Sequence, residues 1–222
     1  IGKGRVAAAM IRYGYYNKLK PIFLSEKPNL FSDIYRDLVD INSKDLVPFI
    51  VNGRASKTNI KDADGEIVHK ALAKKEQDDI FKSLKFPIGY DFACATYSQF
   101  ASVKKSPTKP NFLRAIAQNN LVIMDESHNA SGSSNTGEFL QEVLIGTKGV
   151  VFLSATFAKR PDNMPVYALK TSISDAHMTK EQLVEAIHPV SSFDLFSKIP
   201  FLSRDHDVWS HMNLSEIGSL IV

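Results

Sequence analysis

Residues 121–128, Leu-Val-Ile-Met-Asp-Glu-Ser-His, constrain this chain more than any other segment. Four apolar residues make a short buried strand that ends abruptly in two adjacent carboxylates, Asp125 and Glu126. Burying charge is costly unless a partner or a metal ion compensates it. In a parallel α/β sheet, ligands bind at the carboxyl ends of the strands. The simplest compensation is a divalent cation carried in by a nucleoside triphosphate. Asp125 is then expected to hold Mg²⁺, directly or through water, and Glu126 to orient or deprotonate an attacking water. The competing reading makes Asp125 the cap of a following helix and Glu126 a solvated side chain.

Two further segments weigh on that choice. Ile1-Gly2-Lys3-Gly4-Arg5 precedes a helix-like stretch, Val6 to Tyr13. Gly-Lys at a helix start is the second half of a phosphate-binding loop: backbone N–H groups and the helix N-terminus attract the anion, and Lys3 reaches its β- and γ-phosphates. The full pattern places a glycine five residues before Gly2, so the chain reads as a fragment that starts inside the loop. It also expects Ser or Thr where Gly4 stands, to give Mg²⁺ a hydroxyl. The second segment, Gly149 to Thr156, is another apolar strand, ending in Ser154-Ala155-Thr156. Ser154 and Thr156 are placed to hydrogen-bond His128 or Glu126 across neighbouring strand ends. The plainer alternative for them is two hydroxyls that terminate a strand.

Taken in order, these segments resemble motifs I, II and III of superfamily-two helicases and translocases. Gly2-Lys3-Gly4-Arg5, with glycine in the hydroxyl position, and the run from Ser154 to Pro165 are similar to the strawberry notch family. That family includes bacterial and phage proteins in which the helicase module accompanies a DNA-methylase module. The resemblance covers Gly2 to about Thr171. It implies a three-layer α/β P-loop NTPase (RecA-like) domain with a mainly parallel sheet over residues 1–171. Residues 172–222 are then a helical extension toward a second RecA-like lobe. The implied activity is hydrolysis of ATP with Mg²⁺, coupled to movement on nucleic acid, DNA in preference to RNA. Gly2, Lys3, Gly4 and Arg5 belong to the phosphate loop in this reading, with Lys3, Glu126 and His128 catalytic and Asp125 on the metal. His128, Ser154 and Thr156 couple the nucleotide to the second lobe, and Ser25, Thr96 and Ser98 lie near a nucleic-acid backbone. Arginine fingers are expected on the second lobe, so the isolated lobe is expected to be nearly inert. The implied setting is the cytoplasm of a bacterial or phage-infected cell, in DNA modification or antirestriction, or the nucleus for a eukaryotic relative. A non-hydrolysing scaffold that binds DNA or protein is the alternative, favoured by Gly4. A P-loop enzyme acting on a small molecule is a third, opposed by Ser154-Ala155-Thr156.

Composition sets looser bounds. A chain of 222 residues with 44% hydrophobic content can bury a full core. Its one cysteine, Cys94, excludes a disulfide framework and a multi-cysteine zinc site, and its apolar setting suggests a buried structural thiol. No apolar run is long enough to span a membrane, and no membrane partner is expected. A net charge of +3 permits nucleic-acid binding without demanding it. Lysines gather at 57, 61, 70, 74 and 75 and at 104, 105 and 109, runs that suit either phosphate contacts or a solvated face.

Strand and helix patterns alternate along the chain, which predicts a parallel sheet with crossover helices. Strands are expected at Pro21–Glu26, at Val47–Val51 on a sheet edge because of Pro48, and at Tyr90–Tyr97. Helices are expected at Asn29–Ile41 with Asn29 as cap, Ala71–Leu84, Asn111–Gln118, Gly137–Ile145 and Thr179–Ile187. A small hairpin turning near Ala63–Glu66 is expected between the core elements.

Overall fold

Strand burial decides the architecture. The computed structural model describes residues 2–130 and 134–154, together with Val166, Tyr167 and Leu169. Among these residues, β1 (Ile22–Ser25), β2 (Pro48–Ile50), β5 (Phe92–Thr96), β6 (Leu121–Asp125) and β7 (Gly149–Leu153) form one sheet. Its order is β2-β5-β1-β6-β7 and every neighbouring pair is parallel. A separate antiparallel hairpin, β3 (Ile60–Lys61) and β4 (Ile67–His69), sits between β2 and the next helix in sequence. β2 is an edge strand, which suits Pro48 because an edge position spares its missing N–H.

Side chains alternate along each strand and divide the core into two layers. Leu121 and Ile123 of β6 pack with α1 (Lys3–Tyr16) and α2 (Leu30–Asp40), through Ala7, Ala8, Ile11, Phe31, Ile34 and Leu38. Val122 and Met124 face the other way, toward α3 (Lys74–Ser83), α4 (Thr108–Ala117) and α5 (Asn135–Ile145). The second layer includes Phe49, Phe81 and Phe112, whose rings meet at centroid distances of 5.1–6.3 Å. Such pairs add about 0.5–1.5 kcal/mol each beyond the area they bury. The fold is thus α/β, with a parallel sheet between two helical layers. Cys94 is fully enclosed, and burial pushes its thiol pKa far up, leaving it inert. Among the described residues no helix is long and apolar enough to cross a membrane.

α2 starts where expected but without the expected side-chain cap, while α3, α4 and α5 (from Asn135 rather than Gly137) start elsewhere than expected. Asn29 occupies the cap position of α2 but is itself helical and its side chain caps nothing. The N–H groups of Leu30 and Phe31 are met by the carbonyls of Lys27 and Pro28. α3 begins at Lys74 rather than Ala71, because the Glu76 carboxylate turns back to accept the Ala73 N–H at 3.1 Å. α4 begins at Thr108 rather than Asn111, with Pro110 in its first turn, where a missing N–H does no harm. The predicted helix Thr179–Ile187 and the extension 172–222 lie outside the described residues, as do 155–165.

Candidate functional site

Gly2 enters α1 with φ of 100°, a left-handed conformation that glycine adopts without steric cost. Its carbonyl accepts the Val6 N–H at 3.1 Å. No side chain caps α1 and its first turn carries no acidic residue, so the positive end of the helix is left uncompensated from within. Lys3, the first helical residue, adds a full charge there. Its Nζ is ion-paired with a carboxylate oxygen of Glu126, 123 residues away in sequence. Sheet order explains the meeting: α1 packs against β6 and β7, and Glu126 directly follows β6.

Glu126 turns the chain at the end of β6 with φ of 46°. A left-handed backbone costs a non-glycine residue about 1–2 kcal/mol, and strain of this kind gathers at functional sites. The two carboxylates respond differently to their surroundings. Burial raises the pKa of Asp125, only partly offset by the Lys3 charge, and the neighbouring Glu126 raises it further. Burial also pushes Glu126 up. The hydrogen bond and charge of Lys3, with help from His128 and Ser154, outweigh that and leave its pKa below the usual value.

The β6–β7 register pairs Asp125 with Leu153, so the residues that follow, Glu126 and Ser154, flank each other. Ser154 Oγ donates to Glu126 at 3.4 Å and lies 2.8 Å from His128 Nδ1. With its hydroxyl proton on Glu126, Ser154 accepts from a protonated Nδ1. His128 Nδ1 also lies 3.3 Å from Glu126. Glu126, His128 and Ser154 therefore form one polar group spanning two strand ends. Thr156 lies outside the described residues.

Tyr97 braces this corner from the far side of β1. It is buried in a 3₁₀ turn after β5, and its hydroxyl donates to the Asp125 carbonyl at 2.8 Å. Burial, then the nearby Asp125, Tyr167 and Glu126, push its pKa well up, so the phenol remains a donor. The buried Ser127 lies 3.0 Å from the Tyr167 hydroxyl. In the sequence Tyr97 stands only as the last residue of an expected strand. An aromatic two residues past a strand's apolar run gives no local sign of reaching over another strand.

A cavity of about 470 Å³ opens between the start of α1, α2 and the carboxyl ends of β1 and β6. Lys3, Gly4, Asp125 and Glu126 line it together with Asp33 and Asp37 of α2. The two α2 carboxylates are four residues apart, hence on one helix face, a spacing readable in sequence but not tied there to Gly4. Among the described residues, no three acidic, histidine or cysteine side chains are grouped to hold a metal ion by themselves.

The remaining predicted residues fall elsewhere. Arg5 turns out of the cavity to Asp40 at 3.2 Å, an exposed pair that ties α1 to the end of α2. Ser25 is buried and donates to the Lys27 carbonyl at 3.1 Å. Thr96 is buried too: its hydroxyl oxygen accepts from the Asn52 amide at 2.9 Å, and its N–H donates to the Asn52 side chain at 3.0 Å. Both hydroxyls are engaged in hydrogen bonds within the fold. Ser98 is exposed, 2.9 Å from Thr96 Oγ1. Lys57, Lys61, Lys70, Lys74 and Lys75 are exposed as well.

Comparison with known proteins finds no matching family model and no matching curated protein. The functional reading therefore stands on the chemistry of these residues.

Proposed function

We propose that this chain is the ATP-binding and ATP-hydrolysing lobe of a nucleic-acid motor, a P-loop, RecA-like domain of the helicase or translocase kind that acts on DNA. One observation carries the reading: Lys3, at the uncapped start of α1, meets Glu126, which stands beside Asp125 at the end of a central parallel strand. A helix start bearing a lysine suits phosphate, and two carboxylates at its side suit a cation and a water.

In this reading the backbone N–H groups of the first turn and Lys3 bind the β- and γ-phosphates. Asp125 would hold Mg²⁺ beside the phosphates, where the ion would supply charge neutralisation. As Lys3 moves onto phosphate it would release Glu126, leaving its carboxylate, still bonded by Ser154 and beside His128, to orient water. His128 and Ser154, both bonded to Glu126, pass a change at the γ-phosphate toward the β7 end. A second RecA-like lobe is the partner this arrangement calls for, and a methylase module is a further proposed companion. The exposed Ser98 and the exposed lysines suit phosphate contacts that position a strand without reading its sequence.

The scaffold alternative rests on Gly4, which brings no hydroxyl to a metal. The strained Glu126 and the burial-disfavoured Asp125 weigh against it, since a scaffold gains nothing from either. The test is Mg²⁺-dependent ATP hydrolysis by the full-length protein, with and without DNA, beside Glu126→Gln. Turnover that DNA stimulates, and that the substitution abolishes while ATP still binds, supports the motor. Absence of turnover with every polynucleotide, with DNA or protein binding intact, supports the scaffold.

A further inference from the structure

A hydroxyl-bearing residue at position 4 is what a phosphate-binding loop ordinarily offers to the metal, and here there is glycine. Across the helix interface, a carboxylate stands beside that position. A Cβ built on Gly4 comes within 2.1 Å of the Asp37 carboxylate oxygen Oδ2 and 3.2 Å of its carboxyl carbon. The atom met is the far end of a flexible side chain, which can swing aside, so the contact does not forbid Ser or Thr; it shows that the Asp37 carboxylate stands where a side chain at position 4 would reach. α2 has thus placed a carboxylate in the first turn of α1, on the wall of the cavity that Lys3, Asp125 and Glu126 share.

Among the described residues, no structural partner accounts for Asp37. Among the described residues its carboxylate makes no hydrogen bond or ion pair, while its neighbours are engaged: Arg36 pairs with Asp33, and Arg5 with Asp40. Burial raises its pKa, with Asp40 and Asp33 adding to the rise against Arg5 and Arg36. Cavity charge points the same way. Asp37 joins Glu26, Asp33, Asp125 and Glu126, against Lys3 and Lys27. A polyphosphate entering a pocket with more carboxylates than lysines is repelled unless a cation comes with it. Since no three such side chains are grouped to hold a metal alone, that cation is shared with the phosphates.

We infer that Asp37 supplies the magnesium-side oxygen that Gly4 lacks, so that Asp37 and Asp125 would both serve the ion, directly or through its waters. The inference rests on the proposed nucleotide site and deepens it. Gly4 and Asp37 are then one device in two pieces: the glycine makes room, and the carboxylate replaces the hydroxyl.

The experiment measures Mn²⁺ affinity by the electron paramagnetic resonance of the free ion, with a non-hydrolysable ATP analogue bound to the full-length protein. The variants are Asp37→Asn, Asp37→Ala and the double substitution Gly4→Ser with Asp37→Ala. Far-ultraviolet circular dichroism checks that each variant folds. Removing the carboxylate is expected to weaken Mn²⁺ binding by about tenfold or more. Metal-free analogue binding should hold steady or tighten, because a negative charge has gone. Ser at position 4, with the space cleared, should recover most of the lost affinity. Mn²⁺ affinity within twofold of wild type in both single variants overturns the role of Asp37 and leaves the nucleotide reading standing. Failure of the wild-type protein to bind the analogue, with or without Mn²⁺, overturns both.

Discussion

The backbone of Glu126 offers a test with a sign. At φ of 46°, alanine carries the left-handed penalty of about 1–2 kcal/mol and glycine does not. Glycine loses about 0.4–1 kcal/mol through the greater freedom of its unfolded chain. The balance leaves Glu126→Gly more stable than Glu126→Ala by roughly 1 kcal/mol, or about 2–4 °C in Tm for a chain of this size. At an ordinary backbone position the order is reversed, with alanine ahead. The ion pair with Lys3 cancels from the comparison, since both variants lose it. In any case its side chains are 36% and 29% exposed, where such pairs contribute little. Thermal and urea unfolding of the two variants under identical conditions read the difference. Alanine equal to or more stable than glycine would refute a left-handed Glu126, and with it the claim that strain is held at this strand end.

Two further outcomes follow from the same corner. Asp125→Asn should raise Tm at neutral pH, because burial disfavours the aspartate's charge. A raised folded pKa means that wild type gains stability as pH falls through it toward the ordinary value of 3.8, so the variant's advantage should shrink over that interval and vanish below it. A Tm gap that does not change with pH would show that the substitution acts through something other than charge. Tyr97→Phe leaves the half-buried Asp125 carbonyl without this donor and should cost about 1 kcal/mol, seen as a lower urea midpoint at unchanged slope. A midpoint indistinguishable from wild type would mean that the hydroxyl does not brace the strand end.

Much of the layering can be read from short-range pattern. Apolar runs at Ile22–Ser25, Phe92–Thr96, Leu121–Asp125 and Gly149–Leu153 announce strands, and Ile34 and Leu38 announce the buried face of α2. Pro48 announces an edge strand, and residues 62–66 the turn of the β3–β4 hairpin. The chemistry of the site is legible as residue types: a lysine at a helix start, and two carboxylates closing an apolar run. Helix starts were less legible, because the backbone carbonyls before α2 and the side chain of Glu76 satisfy N–H groups in ways that composition does not display.

What sequence determined by itself is local: periodicity fixes which face of each element is apolar, and spacing fixes which groups stand at its ends. Tertiary structure decided who meets whom. The order β2-β5-β1-β6-β7 brings Ser154 beside Glu126 and lets Tyr97 reach over β1 to Asp125. Packing of α1 on α2 sets Asp37 against Gly4, thirty-three positions away. The left-handed turn at Glu126 belongs to this level too, since no propensity of glutamate predicts it. Strand order and helix contact depend on the sum of many weak burial terms over the whole chain, and that sum has no local signature in the residues it finally places together.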